Sequence, residues 1–146
     1  MRKALHPYAA LSVVAAVLLG LTGCGAAKSP SEASRKPVVQ VVERDFHIKA
    51  PERVPAGDVR ISVHNKGPDD HELILVKDRE SELPFRSDGL TIDEDKLGSN
   101  ELGALEPGEP GTVRELKVHL APGRYELLCN MAGHYLGGME REFTVG

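Results

Sequence analysis

The chain has 146 residues, with 22 Asp and Glu against 18 Lys and Arg for a formal charge of −4, two cysteines and no tryptophan. That length suits one domain with its own core and is too short for two comfortable ones. A mildly acidic chain whose basic residues form no cluster is not built for nucleic acid.

Residues 1–23 read as a processing signal. Arg2 and Lys3 make a short positive start, and Ala9 to Leu21 form an apolar run too short to span a bilayer well. The run ends in Leu21-Thr22-Gly23-Cys24, the pattern of a bacterial lipoprotein signal, in which the Cys24 thiol is lipidated and opens the mature chain. An ordinary signal peptide or a signal anchor is the alternative. No Arg-Arg pair precedes the run, which disfavours a twin-arginine route. Cleavage removes two of the 18 basic residues and none of the 22 acids, leaving 16 against 22 and a formal charge of −6. The expected location is the extracytoplasmic side of a cell membrane, in the periplasm or at the cell surface, held by the lipid.

Residues 24–37 contain GAAKSPSEASRK, small and polar with one proline, and read as a flexible tether. The domain is expected over 38–146. Val39 and Val41, then Phe46 with Ile48, suggest a first strand bent near Asp45. After the PERVPAGD turn, VRISVHN places Val59, Ile61 and Val63 on one face of a half-buried strand. HELILVKD (71–78) is apolar on both faces, as a central strand is.

Residues 79–111 break the rhythm. The segment is acidic and weakly patterned, and Thr91-Ile92-Asp93-Glu94 has the form of a capping box for a short helix that Gly98 ends. A loop of this length is either functional or a solvated insertion. Alternation resumes in TVRELKVHL, with Leu116, Val118 and Leu120 inward. RYELLC puts Tyr125, Leu127 and Cys129 on one face, and MEREFTV does the same for Met139, Phe143 and Val145, with Arg141 an unplaced exception. Short strands separated by Gly/Pro turns predict an all-β Greek-key sandwich or barrel with a long, partly irregular insertion.

The chemistry concentrates in CNMAGHYLGGM, residues 129–139. With Cys24 lipidated, Cys129 is an odd thiol in an oxidising compartment, and a metal that holds it as thiolate is the natural occupant. Cys129, His134 and Met139 lie on one loop between two strands, in a C-x4-H-x4-M spacing, and Gly133, Gly137 and Gly138 let that loop fold tightly. A fourth ligand has to come from elsewhere. His6 goes with the signal, and His47, His64 and His119 fall on polar faces. His71 follows the turn NKGPDD, opens the most buried strand and shares parity with Leu73 and Leu75.

A thiolate, two imidazoles and a thioether select a soft or borderline transition metal and match the donor set of a blue-copper site. Zinc accepts Cys-His-His with water, but nothing here supplies a general base, and a structural zinc site closes with a fourth strong ligand. Calcium and magnesium want oxygen donors. A dinuclear copper centre needs a second cysteine in the loop, and haem attachment needs C-x-x-C-H; both are absent.

On these residues the chain resembles the cupredoxins, the blue copper proteins, from about Val38 to Gly146. Its ligand loop is similar to that of the rusticyanin and sulfocyanin group. The resemblance implies a Greek-key sandwich that binds one type 1 copper through His71, Cys129 and His134 with Met139 as long axial ligand. A copper held rigidly between its preferred geometries suits a monomeric one-electron carrier that is not an enzyme and meets redox proteins transiently. A loop histidine can show a ring edge, so His134 is the expected electron port, with Tyr135 and Leu136 either a small docking patch or simply loop packing. A copper-buffering or delivery module is the rival reading; a copper enzyme would need further histidine sites, and a fold with a dead site is disfavoured by all four ligand types being present. Two departures stand out. Glu72 occupies the place after the first histidine where many cupredoxins carry Asn or Ser, bringing a carboxylate near the metal. Ala132 replaces a proline two residues before the loop histidine, which is expected to loosen the loop.

Overall fold

A computed structural model describes residues 36–77 and 82–146. The signal, Cys24 and nearly all of the tether fall outside these residues. The described residues form nine strands: β1 Val38–Arg44, β2 His47–Lys49, β3 Arg53–Val54, β4 Gly57–Asn65, β5 His71–Lys77, β6 Glu101–Gly108, β7 Val113–Leu120, β8 Gly123–Leu128 and β9 Glu140–Val145. They make two mixed sheets, ordered β2-β1-β4-β7 and β3-β9-β8-β5-β6. Parallel pairing is confined to β1 with β4 and β3 with β9. The all-β sandwich is as the alternation predicts.

Each sheet turns one apolar row inward, since residues two apart share a face. Val39, Val41, Val59, Ile61 and Val63 from the first sheet meet Leu73, Leu75, Tyr125, Leu127, Phe143 and Val145 from the second. Cys129 and Met139 are buried in this same layer, at the end of β8 and just before β9. Tyr125 stacks on Phe143 at 5.5 Å between ring centroids, and its hydroxyl donates to the Ala121 carbonyl at 2.7 Å.

β5 is apolar on both faces because both are covered. Its outward residues Ile74 and Val76, with Leu128 of β8, pack under Ile92 and Leu97 of the insertion, joined by Leu83 and Tyr135. The insertion is therefore a second hydrophobic layer rather than a solvated loop. It contains two 3₁₀ turns, Glu94–Lys96 and Gly98–Asn100, and then β6, which the sequence reading left irregular. β6 was hidden because ELGALEPG spaces its two leucines three apart and interrupts them with Gly, Ala and Pro. Its register against β5 also slips between His71 and Leu73.

The capping box is corrected too. Asp93 holds the N-cap position without a side-chain bond, and the Thr91 hydroxyl instead donates to Asp88 Oδ2 at 2.7 Å. Gly98, at φ 56°, ends the first 3₁₀ turn as expected of a left-handed cap.

The first strand breaks where a bend was expected. Asp45 and Phe46 form a two-residue turn with Phe46 at φ 56°, so Phe46 leaves the inward row and is 52% exposed while Ile48 returns to it.

Candidate metal centre

Three segments bring donors to one end of the sandwich. Asn65 shapes the first: buried at the end of β4, it donates from Nδ2 to the Asp69 and Gly108 carbonyls, both at 2.8 Å, and accepts from the Gly67 N–H at 2.9 Å. This folds NKGPDD into a rigid step that delivers His71 into the inter-sheet layer. Cys129 enters from the end of β8 by the parity of Tyr125 and Leu127. The loop after it closes on itself: Met139 N–H donates to the His134 carbonyl at 3.0 Å, His134 N–H to that of Met131 at 2.8 Å, and Cys129 N–H to that of Met139 at 3.1 Å. Gly133 and Gly138, at φ 80° and 93°, supply the left-handed steps this needs. Ala132 does not leave the loop loose, because Gly133 N–H is pinned to the Leu90 carbonyl at 3.1 Å and Gly137 N–H to that of Gly133 at 3.0 Å.

The result is a cluster of His71, Cys129 and His134 whose ligand atoms lie within 4.8 Å of one another, the one such His/Cys/acid grouping that includes a histidine or thiol among the described residues. His134 Nδ1 is 3.5 Å from the Cys129 sulfur. The His71 and His134 rings meet edge to face at 5.2 Å. His71 Nε2 faces Asp45 Oδ1 at 3.1 Å, and its Nδ1 is buried with no hydrogen-bond partner. A buried, unpaired lone pair beside a thiol and a second imidazole is what a metal site looks like from the protein side. Burial and then the neighbouring His134 push the His71 pKa down, which keeps that lone pair free of a proton.

The Cys129 thiol is pushed up to about 11 by burial, against the N–H groups of Met131 and Glu72, which bond the sulfur and favour its charged form. Without a metal the group is a neutral thiol at neutral pH; a cation would displace its proton. Glu72 also reaches the other way: the Asn130 N–H bonds its carboxylate, which burial and Glu94 nevertheless raise to about 7. Glu72 thus laces the two ligand segments together with its own N–H and its own side chain. Sequence reasoning noted the substitution but not the carboxylate's bond to the Asn130 N–H.

Met139 is fully buried in the same layer as Cys129. Leu136 is 55% exposed on the loop, while Tyr135 is half-buried against the outer layer, 5.9 Å from the Phe85 ring. The exposed ring beside the cluster is Phe46, 5.4 Å from His134 and lying where a side chain at Gly137 would otherwise go. His47 and His119 are exposed, and His119 Nδ1 pairs with Asp58 at 2.8 Å. Neither they nor His64 join the cluster.

The scaffold recurs among solved structures. The fold is shared with an auracyanin of Roseiflexus castenholzii, at 19% identity and TM-score 0.57, covering 76% of this chain and 98% of that one. It is shared equally with auracyanin A of Chloroflexus aurantiacus, a "blue" copper protein, at 21% identity and TM-score 0.58, covering 77% of this chain and all of the other. Rusticyanin of Thiobacillus ferrooxidans gives 15% identity and TM-score 0.54, covering 77% and 79%. No protein-family model matches the sequence, and no curated protein does. The architecture is the cupredoxin fold, as the ligand-loop resemblance implied.

Proposed function

We propose that the protein is a membrane-anchored, extracytoplasmic type 1 copper protein that passes single electrons between redox proteins. His71 Nδ1, His134 Nδ1, the Cys129 thiolate and the Met139 thioether would hold the copper. The observation that carries this reading is the unpaired Nδ1 of His71, buried beside Cys129 and His134. When bound, copper supplies a one-electron couple between its +1 and +2 states. The chain's part is to hold the donors still. His71 is braced by the β5 ladder and the Asn65 step, Cys129 by two N–H bonds to its sulfur, and His134 by the closed loop. Such bracing suits a site that changes little between oxidation states, and the N–H bonds to sulfur tune the potential.

The same burial speaks against a buffering or delivery role, since both His71 and Cys129 have no exposed surface through which a competing ligand would approach. His134, only partly covered, is the proposed electron port, with Leu136 and Tyr135 on its loop as the docking surface for a transient partner. In this reading residues 1–23 are a lipoprotein signal, Cys24 carries the lipid, and the tether lets a monomeric domain of residues 38–146 reach its partners. The test is voltammetry of the copper-loaded protein: a reversible one-electron wave with copper retained against a chelator is expected. Ready loss of copper to the chelator with no reversible wave would overturn the carrier role.

A further inference from the structure

The metal-binding face of His71 accounts for one ring nitrogen; the other points at a carboxylate from the opposite sheet. Asp45 sits in the Asp45–Phe46 turn between β1 and β2, 26 residues from His71 in sequence, with its Oδ1 3.1 Å from His71 Nε2. The His71 side chain is fully buried and that of Asp45 is 30% exposed, so the carboxylate is the ring's link towards solvent. The approach is tight: a side chain at Gly67 would place its Cβ 2.7 Å from both Asp45 Oδ1 and His71 Nε2. Glycine at 67 is what lets the two meet. The turn itself depends on Phe46 adopting φ 56°, a conformation non-glycine residues rarely take, and the Phe46 ring then rests against His134.

We propose that Asp45 is a positioning residue for the copper site, acting through His71; this rests on the copper reading above. A carboxylate behind a ligating histidine fixes its tautomer and orientation and raises its basicity as a donor. Here Asp45 accepts the Nε2 proton, so Nδ1 carries the lone pair and faces Cys129 and His134. No proton or electron is transferred to Asp45. Its negative charge favours the more highly charged copper(II) over copper(I) and so lowers the reduction potential. Asp69 also faces the His71 ring, as a charge without a hydrogen bond, and lies behind Asp45 in influence.

The experiment uses the full chain, with Asp45→Asn and Asp45→Leu beside the unsubstituted protein. Asn keeps an acceptor for the Nε2 proton and removes the charge; Leu removes both. In the metal-free protein, long-range ¹H–¹⁵N NMR should show His71 as the single Nε2–H tautomer, retained in D45N and mixed in D45L. With copper, D45L should bind copper(II) about 10–100-fold more weakly by chelator competition. D45N should raise the potential by the equivalent of about a tenfold change in the copper(II)-to-copper(I) affinity ratio, or about 59 mV. A potential unmoved in D45N, or a His71 tautomer unmoved in D45L, overturns the proposal. If the unsubstituted protein binds no copper, the copper reading fails instead, and the tautomer measurement still decides whether Asp45 orients His71.

Discussion

Replacing Asn130 with Ala tests whether the insertion and the ligand loop are one structural unit. Asn130 follows Cys129, is 7% exposed, and spends its whole side chain on the insertion. Its Oδ1 accepts from the Ile92 N–H, and its Nδ2 donates to the Ile92 carbonyl at 3.1 Å and to Glu94 Oε1 at 2.8 Å. The Ile92 carbonyl retains a long bond from Arg86 Nε at 3.4 Å, but the Ile92 N–H loses its partner in a buried position. An orphaned buried donor costs about 1–3 kcal/mol, and losing the bond to a charged acceptor adds to it. The expected total is about 2–4 kcal/mol, read as a lower urea midpoint at unchanged slope. For a domain of this size that corresponds to a drop in melting temperature on the order of 10 °C or more. Asp at 130 is the sharper control, since it keeps the acceptor but sets a second carboxylate against Glu94. It should be more destabilised at pH 7 than at pH 4. An Ala variant within about 0.5 kcal/mol of the parent, the range of an ordinary surface change, would refute the reasoning.

Ile92→Ala, at a fully buried position over β5, should cost about 2–5 kcal/mol by denaturant unfolding while leaving the copper spectrum in place. Arg114→Met removes the partner of Glu43, which is fully buried, paired to Arg114 at 2.6 Å and already lifted to about 7 by burial. The carboxyl should then bind a proton, and the cost, about 1–3 kcal/mol in the same assay, should shrink as pH falls below 7. Glu126 is pushed up to about 8 by burial and by its neighbour Glu140. A raised carboxyl pKa means that the folded state binds the proton more tightly than the unfolded chain. Stability of the metal-free protein should therefore increase as pH falls from 8 towards 5, and Glu126→Gln should flatten that slope; a urea midpoint that climbs between pH 6 and 8 contradicts it. Met139→Leu should keep the thiolate-to-copper colour and raise the potential, whereas an unchanged potential would remove Met139 from the ligand set.

Much of the centre was legible because parity and chemistry agreed. Leu73 and Leu75 carry His71 inward, Tyr125 and Leu127 carry Cys129 inward, and the loop spacing joins His134 to them. The partners that hold these donors were not legible, because they come from tertiary approach rather than local pattern. Asp45 meets His71 across the two sheets, and only the space left by Gly67 permits it. Asn65 read as part of a polar turn, although its neighbours Gly67 and Pro68 marked the turn as a tight one. Phe46 followed an apolar alternation that the turn at Asp45 interrupts. β5, apolar on both faces, did announce that something covers its outer side. It did not announce that Ile92 and Leu97, set in an acidic and weakly periodic stretch, are the cover.

These parts matter to one outcome, the gathering of a buried sulfur and two ring nitrogens at one end of the sandwich. The electron paramagnetic resonance and visible spectra of the protein loaded with one equivalent of copper(II) probe that gathering most directly. Intense visible absorption with an unusually small copper hyperfine splitting, both abolished in Cys129→Ser, is the predicted result. A pale protein with the wide splitting of tetragonal nitrogen and oxygen coordination, indifferent to the loss of Cys129, would contradict it.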